Sequence, residues 1–366
     1  MNFREYVQGL PLVDHHCHYL IKNVANRDER LARVSTEADD SYPLVDTKNR
    51  LAYWAFKDIA RKFGDSDIQP WKTNADYIKY TSKIFAHYNF KKLFIDLGFV
   101  PDDPILSLDE TEKLTGTEVR PIYRLETHAE KFMEESSSFE EWWQKLQAGV
   151  SQAKSEGFVG FKSIAAYRFG LKITDVDQAQ AKVAFDEWKS SGISRLTSPE
   201  VISYLVWNLA PIIIKADLPL QFHVGYGDAD TDLYQGNPLL MRDFLEAWSG
   251  KGLKVVLLHC YPYHREAGYL ASVFPNLYFD ISLIDTLGPS SVDRVLNEAL
   301  ELAPYSRFLF ASDASTYVEM YAVAADRFKK ALGSHLAGLD FVPEDERKAW
   351  AEKICYQTSE KIYLNK

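Results

Sequence analysis

A chain of 366 residues is long enough for one large domain or two ordinary ones. Its 46% hydrophobic and 26% charged content is that of a globular enzyme, and 52 Asp+Glu against 42 Lys+Arg, a net charge of -10, argues against a nucleic-acid groove or an anionic membrane surface as partner. No apolar run approaches the ~20 residues of a membrane span, no basic-then-apolar leader opens the chain, and an odd count of three cysteines does not make a disulfide framework, so a cytoplasmic protein is expected.

The first strand is expected to end at Val13-Asp14-His15-His16-Cys17-His18. Side chains alternate along a strand, which places His16 and His18 on one face and His15 and Cys17 on the other. Two imidazoles at that spacing can chelate one metal ion. His15 and Cys17 are then core positions or supports behind the ligands.

Residues 23–90 read as a long, charged and aromatic helical insertion that roofs the pocket, with helical spacing around Leu51–Phe56 and from Trp71 to Phe90. Strands are expected at Leu93–Asp96, Val119–Leu125, Phe158–Ile164, Pro219–Val224, Lys254–Cys260, Leu277–Ile281 and Arg307–Asp313. Between them, helices are expected at Ser138–Ser155, Val176–Ser190, Ser198–Ala216, Asn237–Trp248, Tyr263–Val273 and Ser291–Leu302, with helix following the last strand. Short apolar strands alternating with amphipathic helices make parallel βαβ units, and about eight of them favour a closed (β/α)8 TIM barrel as one domain over 1–366.

Four apolar strands end in a polar, metal-competent residue: Lys162, His223, His259 and Asp313. In a barrel those ends converge on the face that carries the chemistry, where His16 and His18 join them. Imidazoles with a carboxylate suit Zn2+ or a similar first-row ion with one position left for water. Lys162 has two readings: a ligand if carboxylated by CO2, or a cation that binds an anionic substrate or a buried acid. His87, His128 and His335 have no partner in register and are expected at the surface. Nucleotide-cradle motifs and a nucleophile elbow are absent from the sequence.

These residues resemble the amidohydrolase superfamily, and within it the amidohydrolase-2 branch. The stretches Gly160–Arg168 and Leu258–Gly268 are similar to the group found fused to glutamine-synthetase-like domains, whereas the present sequence carries the amidohydrolase-like part alone. The resemblance implies a metal-dependent hydrolase that cleaves an amide or related C–N or C–O bond with metal-activated water. Its binuclear pattern gives one ion His16, His18 and Asp313, the other His223 and His259, with carboxylated Lys162 as bridge. Its mononuclear pattern uses His16, His18, His223 and Asp313 and frees His259 for acid-base work. Asp313 would move the proton, and Tyr167, Arg168, His264 and Arg265 would contact a small, carboxylate-bearing substrate. A metal-dependent non-oxidative decarboxylase is the alternative reaction, and a non-catalytic binding barrel the alternative class. No nucleic acid or membrane partner is expected, and a homodimer is one assembly open to such a barrel.

Overall fold

The structure is a computed structural model that describes residues 2–22, 26–64, 74–101 and 103–365. Seven short apolar runs form strands: β1 Leu12–Cys17, β2 Phe90–Asp96, β3 Glu118–Arg124, β4 Gly160–Ser163, β5 Leu220–Val224, β6 Val255–His259 and β7 Leu277–Phe279. They pair in parallel in chain order, as one curled sheet. Parallel neighbours require long crossovers, and helices supply them.

The eighth expected strand forms no ladder of its own. Phe308–Asp313 instead makes single bonds to both edges of the sheet. Leu309 N donates to Phe279 O at 3.0 Å, His15 N to Phe310 O at 3.4 Å, and Asp313 N to His16 O at 3.1 Å. A side chain interrupts the pairing, since the Ser312 N–H that a ladder would use donates to Asp14 Oδ1 at 3.0 Å.

The crossover helices begin where their caps dictate. Ser138, Asp177 and Ser198 accept hydrogen bonds from the first turns of Phe139–Gln152, Gln178–Ser190 and Pro199–Ala216. The helices Phe3–Gly9, Leu108–Thr115 and Leu125–Glu134 were not expected. The middle one carries a capping box, Ser107 with Glu110, that was legible in the sequence. The expected Asn237–Trp248 helix starts as the tighter turn Pro238–Met241 and continues as Arg242–Trp248.

Within the insertion, helices run over Arg27–Arg33, Leu44–Thr47, Leu51–Phe63 and Asn74–Tyr88. The expected helical start at Trp71 and the insertion's first residues, 23–25, lie outside the described residues. Several of the insertion's described aromatics serve the core. Tyr53, Phe56, Phe85 and Tyr88 are buried in the main core.

A second, smaller core lies inside the curl of the sheet. Val13, Phe94, Ile122, Val256, Leu258 and Leu309 meet there, joined by Ile362 and Tyr363 from the helix Thr358–Leu364. That helix supplies the floor on which the polar residues of the next layer rest.

Candidate metal centre

Above the inner core, alternation along the strands puts polar side chains inside. Gln221 and His223 are two apart on β5, and Asp96, Arg124 and Lys162 lie at or near the ends of β2, β3 and β4. All five are buried or nearly so. Two positions break the alternation. Leu258 faces the inner core, yet the next residue, His259, lines the same interior cavity. A left-handed backbone at His259, φ 69°, re-aims it. Such a conformation in a non-glycine residue costs of order 1–3 kcal/mol and marks a position held by its surroundings.

The other break is in β1. Its pairing with β2 shifts register between Asp14 and Cys17, so His15 and His16 do not face opposite ways as strict alternation predicts. His15 sits one layer below the cluster, with Nε2 3.1 Å from Asp280 Oδ2 and Nδ1 3.1 Å from Tyr363 Oη. Cys17 is the residue that turns outward, into the main core.

His16 Nε2 and His18 Nε2 each lie 3.2 Å from Asp313 Oδ1. The hydrogen bonds on the far side of each ring fix where its proton is. Gln221 Nε2 donates to His15 O and to Tyr363 Oη, both at 2.8 Å, which leaves Gln221 Oε1 to accept from His16 Nδ1 at 3.0 Å. His18 Nδ1 faces the carbonyl oxygen of Asp96 at 3.4 Å. Both Nε2 atoms therefore present lone pairs to a carboxylate oxygen that receives no donor among the described residues. His259 is held differently, since the ring nitrogen that comes to 3.6 Å from Asp313 Oδ2 is Nδ1. Its Nδ1 lies 2.8 Å from Ser282 Oγ, which donates to Asp280, leaving Nε2 as its lone-pair nitrogen. His223 Nε2 is buried with no partner among the described residues, and its ring centre is 4.5 Å from that of His259.

Protonation of His16, His223 and His259 is disfavoured by their surroundings. Burial, helped by the Lys162 charge, lowers His16 to about 4. Burial also holds His223 and His259 well below the ordinary imidazole value. Lys162 is brought down to about 8 by burial. A buried carboxylate facing neutral imidazole lone pairs is a place for a cation. The spacing agrees, since two donors about 2.1 Å from one ion at a tetrahedral angle stand about 3.4 Å apart.

A cavity of about 230 Å³ opens over these groups. His16, His18, Lys162, His223, His259 and Asp313 all line it, so the six expected ligands come together. Tyr167 and Arg168 line it too. Tyr167 lies over the His223 ring at 4.1 Å, and Arg168 pairs with Glu130 at 3.1 Å while its buried Nε and Nη1 have no partner among the described residues.

His264 and Arg265 are elsewhere. They open the helix His264–Val273, where His264 Nε2 bonds Glu298 at 2.7 Å and Arg265 pairs with Glu301 at 3.1 Å. Neither lines the cavity, so the expected substrate contacts are replaced by a helix-to-helix acid pairing. His128 is half-buried and has partners. It stacks on Tyr123 at 3.5 Å.

Five charged cavity residues escaped sequence reasoning: Glu37 from the insertion, Arg124, Arg195, Asp228 and Asp230. Asp96 also escaped it, and groups with His16 and His18 as metal-competent atoms within 4.8 Å of one another. Asp96 and Arg124 end β2 and β3, so the strand-end rule that found Lys162 would have found them as well.

A sequence profile of the amidohydrolase family matches residues 151–364, more than half of the chain. A crystal structure from Lactobacillus casei ATCC 334, provisionally described as a metal-dependent hydrolase, is 60% identical with a TM-score of 0.97, covering 100% of this chain and 98% of that one. Uronate isomerase from Thermotoga maritima shares the fold at a TM-score of 0.69 and 17% identity, covering 99% and 96%. Protein fluG of Emericella nidulans is 23% identical over 416 residues, covering 99% of this chain and 46% of fluG, so the chain spans about half the length of that curated relative. With these matches over the cluster just described, the chain belongs to the amidohydrolase family.

Proposed function

We propose that the chain is a metal-dependent hydrolase acting on an amide or related C–N or C–O bond of a small, carboxylate-bearing substrate. The observation that carries this reading is the donor-free Asp313 Oδ1, faced at 3.2 Å by the Nε2 atoms of both His16 and His18. His16, His18 and Asp313 would hold a first-row divalent ion such as Zn2+, with His223, His259 and Lys162 around them. An ion there lowers the pKa of a coordinated water and polarises the scissile carbonyl.

The chain's own residues do the rest. Asp313 orients the attacking water, accepts its proton and returns it to the leaving group. Arg168, anchored through Glu130, offers two unpartnered nitrogens to a substrate carboxylate. A cavity near 230 Å³ is below the usual 300–1,000 Å³ of ligand pockets, which favours a small substrate. We read the scaffold as one (β/α)8 domain over 1–366, with Phe308–Asp313 in the eighth position and 23–90 as an insertion over the pocket. The bonds of that segment to β7 and β1 support the first part of this reading, and Glu37 in the cavity lining supports the second.

Metal content per chain after growth in zinc-supplemented medium tests the reading. The expected result is bound metal in the wild type, its loss in Asp313→Asn, and hydrolysis of a small amide or ester acid from a screening panel. A wild type that stays metal-free would overturn it.

A further inference from the structure

Two carboxylates stand beside the His16–His18 pair, and the fold treats them oppositely. Asp313 Oδ1 receives no donor. Asp96 is surrounded by donors: Gly98 N at 2.9 Å to Oδ1, Arg124 Nε at 3.1 Å to both oxygens, and Arg124 Nη2 at 2.5 Å to Oδ2. Asp96 also belongs to the cluster, since its carboxylate groups with His16 and His18 within 4.8 Å, a looser approach than the 3.2 Å of Asp313. The Asp96 lone pairs are nevertheless committed to the guanidinium.

The chain makes room for that commitment. A Cβ at residue 98 would lie 2.2 Å from Arg124 Cδ and 2.3 Å from Nε, so glycine there is what lets the guanidinium lie flat against Asp96. Arg124 also lines the cavity, so a fixed positive charge stands against Asp96 at the wall of the site. A bidentate guanidinium pair is geometrically specific, and a buried carboxylate deprived of it is left uncompensated.

We propose that Arg124 is a positioning residue that holds Asp96 off the metal and so keeps one coordination position open. In this assignment Asp96 is a latent ligand. Without Arg124 it turns to the ion held by His16, His18 and Asp313, fills the position that water or substrate needs, and tightens metal binding while suppressing turnover. This rests on the metal-centre reading above and adds to it the residue that governs access to the ion.

The test uses wild type, Arg124→Met, Asp96→Asn and the Arg124→Met/Asp96→Asn double variant, each loaded with Zn2+ or Co2+. Affinity is measured by chelator competition, and coordination by the visible absorption of the Co2+ form. Arg124→Met is expected to bind at least about tenfold tighter than wild type with an altered Co2+ spectrum. The double variant and Asp96→Asn are expected to match wild type in both readouts. Weaker or unchanged affinity in Arg124→Met, or a large loss in Asp96→Asn, overturns the lock while leaving the metal centre intact. No binding by wild type overturns the metal centre itself, and the lock with it. Should Arg124→Met fail to fold, Asp96→Asn decides alone: wild-type affinity and spectrum support the assignment, and their loss refutes it.

Discussion

A neutral imidazole can serve as a ligand only through the nitrogen that carries no proton, so the group on its other side decides its competence. For His16 that group is Gln221 Oε1, and the orientation of the Gln221 amide is in turn dictated by its donations to His15 O and Tyr363 Oη. Gln221→Leu keeps the volume and removes the acceptor. The His16 proton is then free to sit on either nitrogen, and metal affinity is expected to fall about 10–100-fold while the fold persists. Chelator competition reads this directly. Affinity equal to wild type would mean that the Gln221 bond does not set the tautomer.

At the scale of the element, the departures from ideal strands are what assemble the cluster. The register shift in β1 brings His15 and His16 to successive interior layers, and the left-handed turn at His259 swings a second histidine inward. Period-two reasoning located His16, His18, Lys162, His223, His259 and Asp313 because each lies at or next to a strand end, and that much of the site was legible. It placed His15 behind the ligands, where it lies, but misjudged the way it faces, because a bulge is a property of the pairing between two strands and leaves no mark on the one that bends. It placed His264 and Arg265 at the pocket because they follow β6 closely, but a helix begins there and turns both towards Glu298 and Glu301. Glu37 reaches the cavity only by tertiary folding of the insertion, which no local pattern announces. The helix Thr358–Leu364 shows the same limit. Its Tyr363 hydroxyl bonds Gln221 Nε2 at 2.8 Å and His15 Nδ1 at 3.1 Å, from the far end of the chain. Tyr363→Phe leaves both buried partners short of a bond, and a loss of about 1–3 kcal/mol with a lower melting temperature is expected. An unchanged melting curve would show that the buried layer beneath the centre is not held by this hydroxyl.

Across the whole molecule, one side chain ties the chain's beginning to its end. Lys329, on the long helix Val318–Ala337, is fully buried and donates to Gln8 O at 3.0 Å, Leu10 O at 2.7 Å and Tyr88 O at 2.9 Å. Those carbonyls stand at the entries to β1 and β2, so a single ammonium fixes where both strands start. The arrangement opposes desolvation: burial lowers Lys329 from 10.5 to about 8. Between those values the unfolded chain binds the extra proton, so stability contributed at this position rises with pH. The penalty for burying the charge is complete below about pH 8 and is relieved as the pH climbs to 10.5. Lys329→Met removes both the charge and three donors, and it is expected to destabilise the fold by leaving the carbonyls unpaired. The pH dependence separates the two effects. Measured by urea unfolding, the stability of wild type relative to Lys329→Met should move in favour of wild type by up to about 3 kcal/mol over that window. A difference that stays flat with pH would mean that the three carbonyls compensate the buried ammonium fully, and that the lysine keeps its ordinary affinity for the proton.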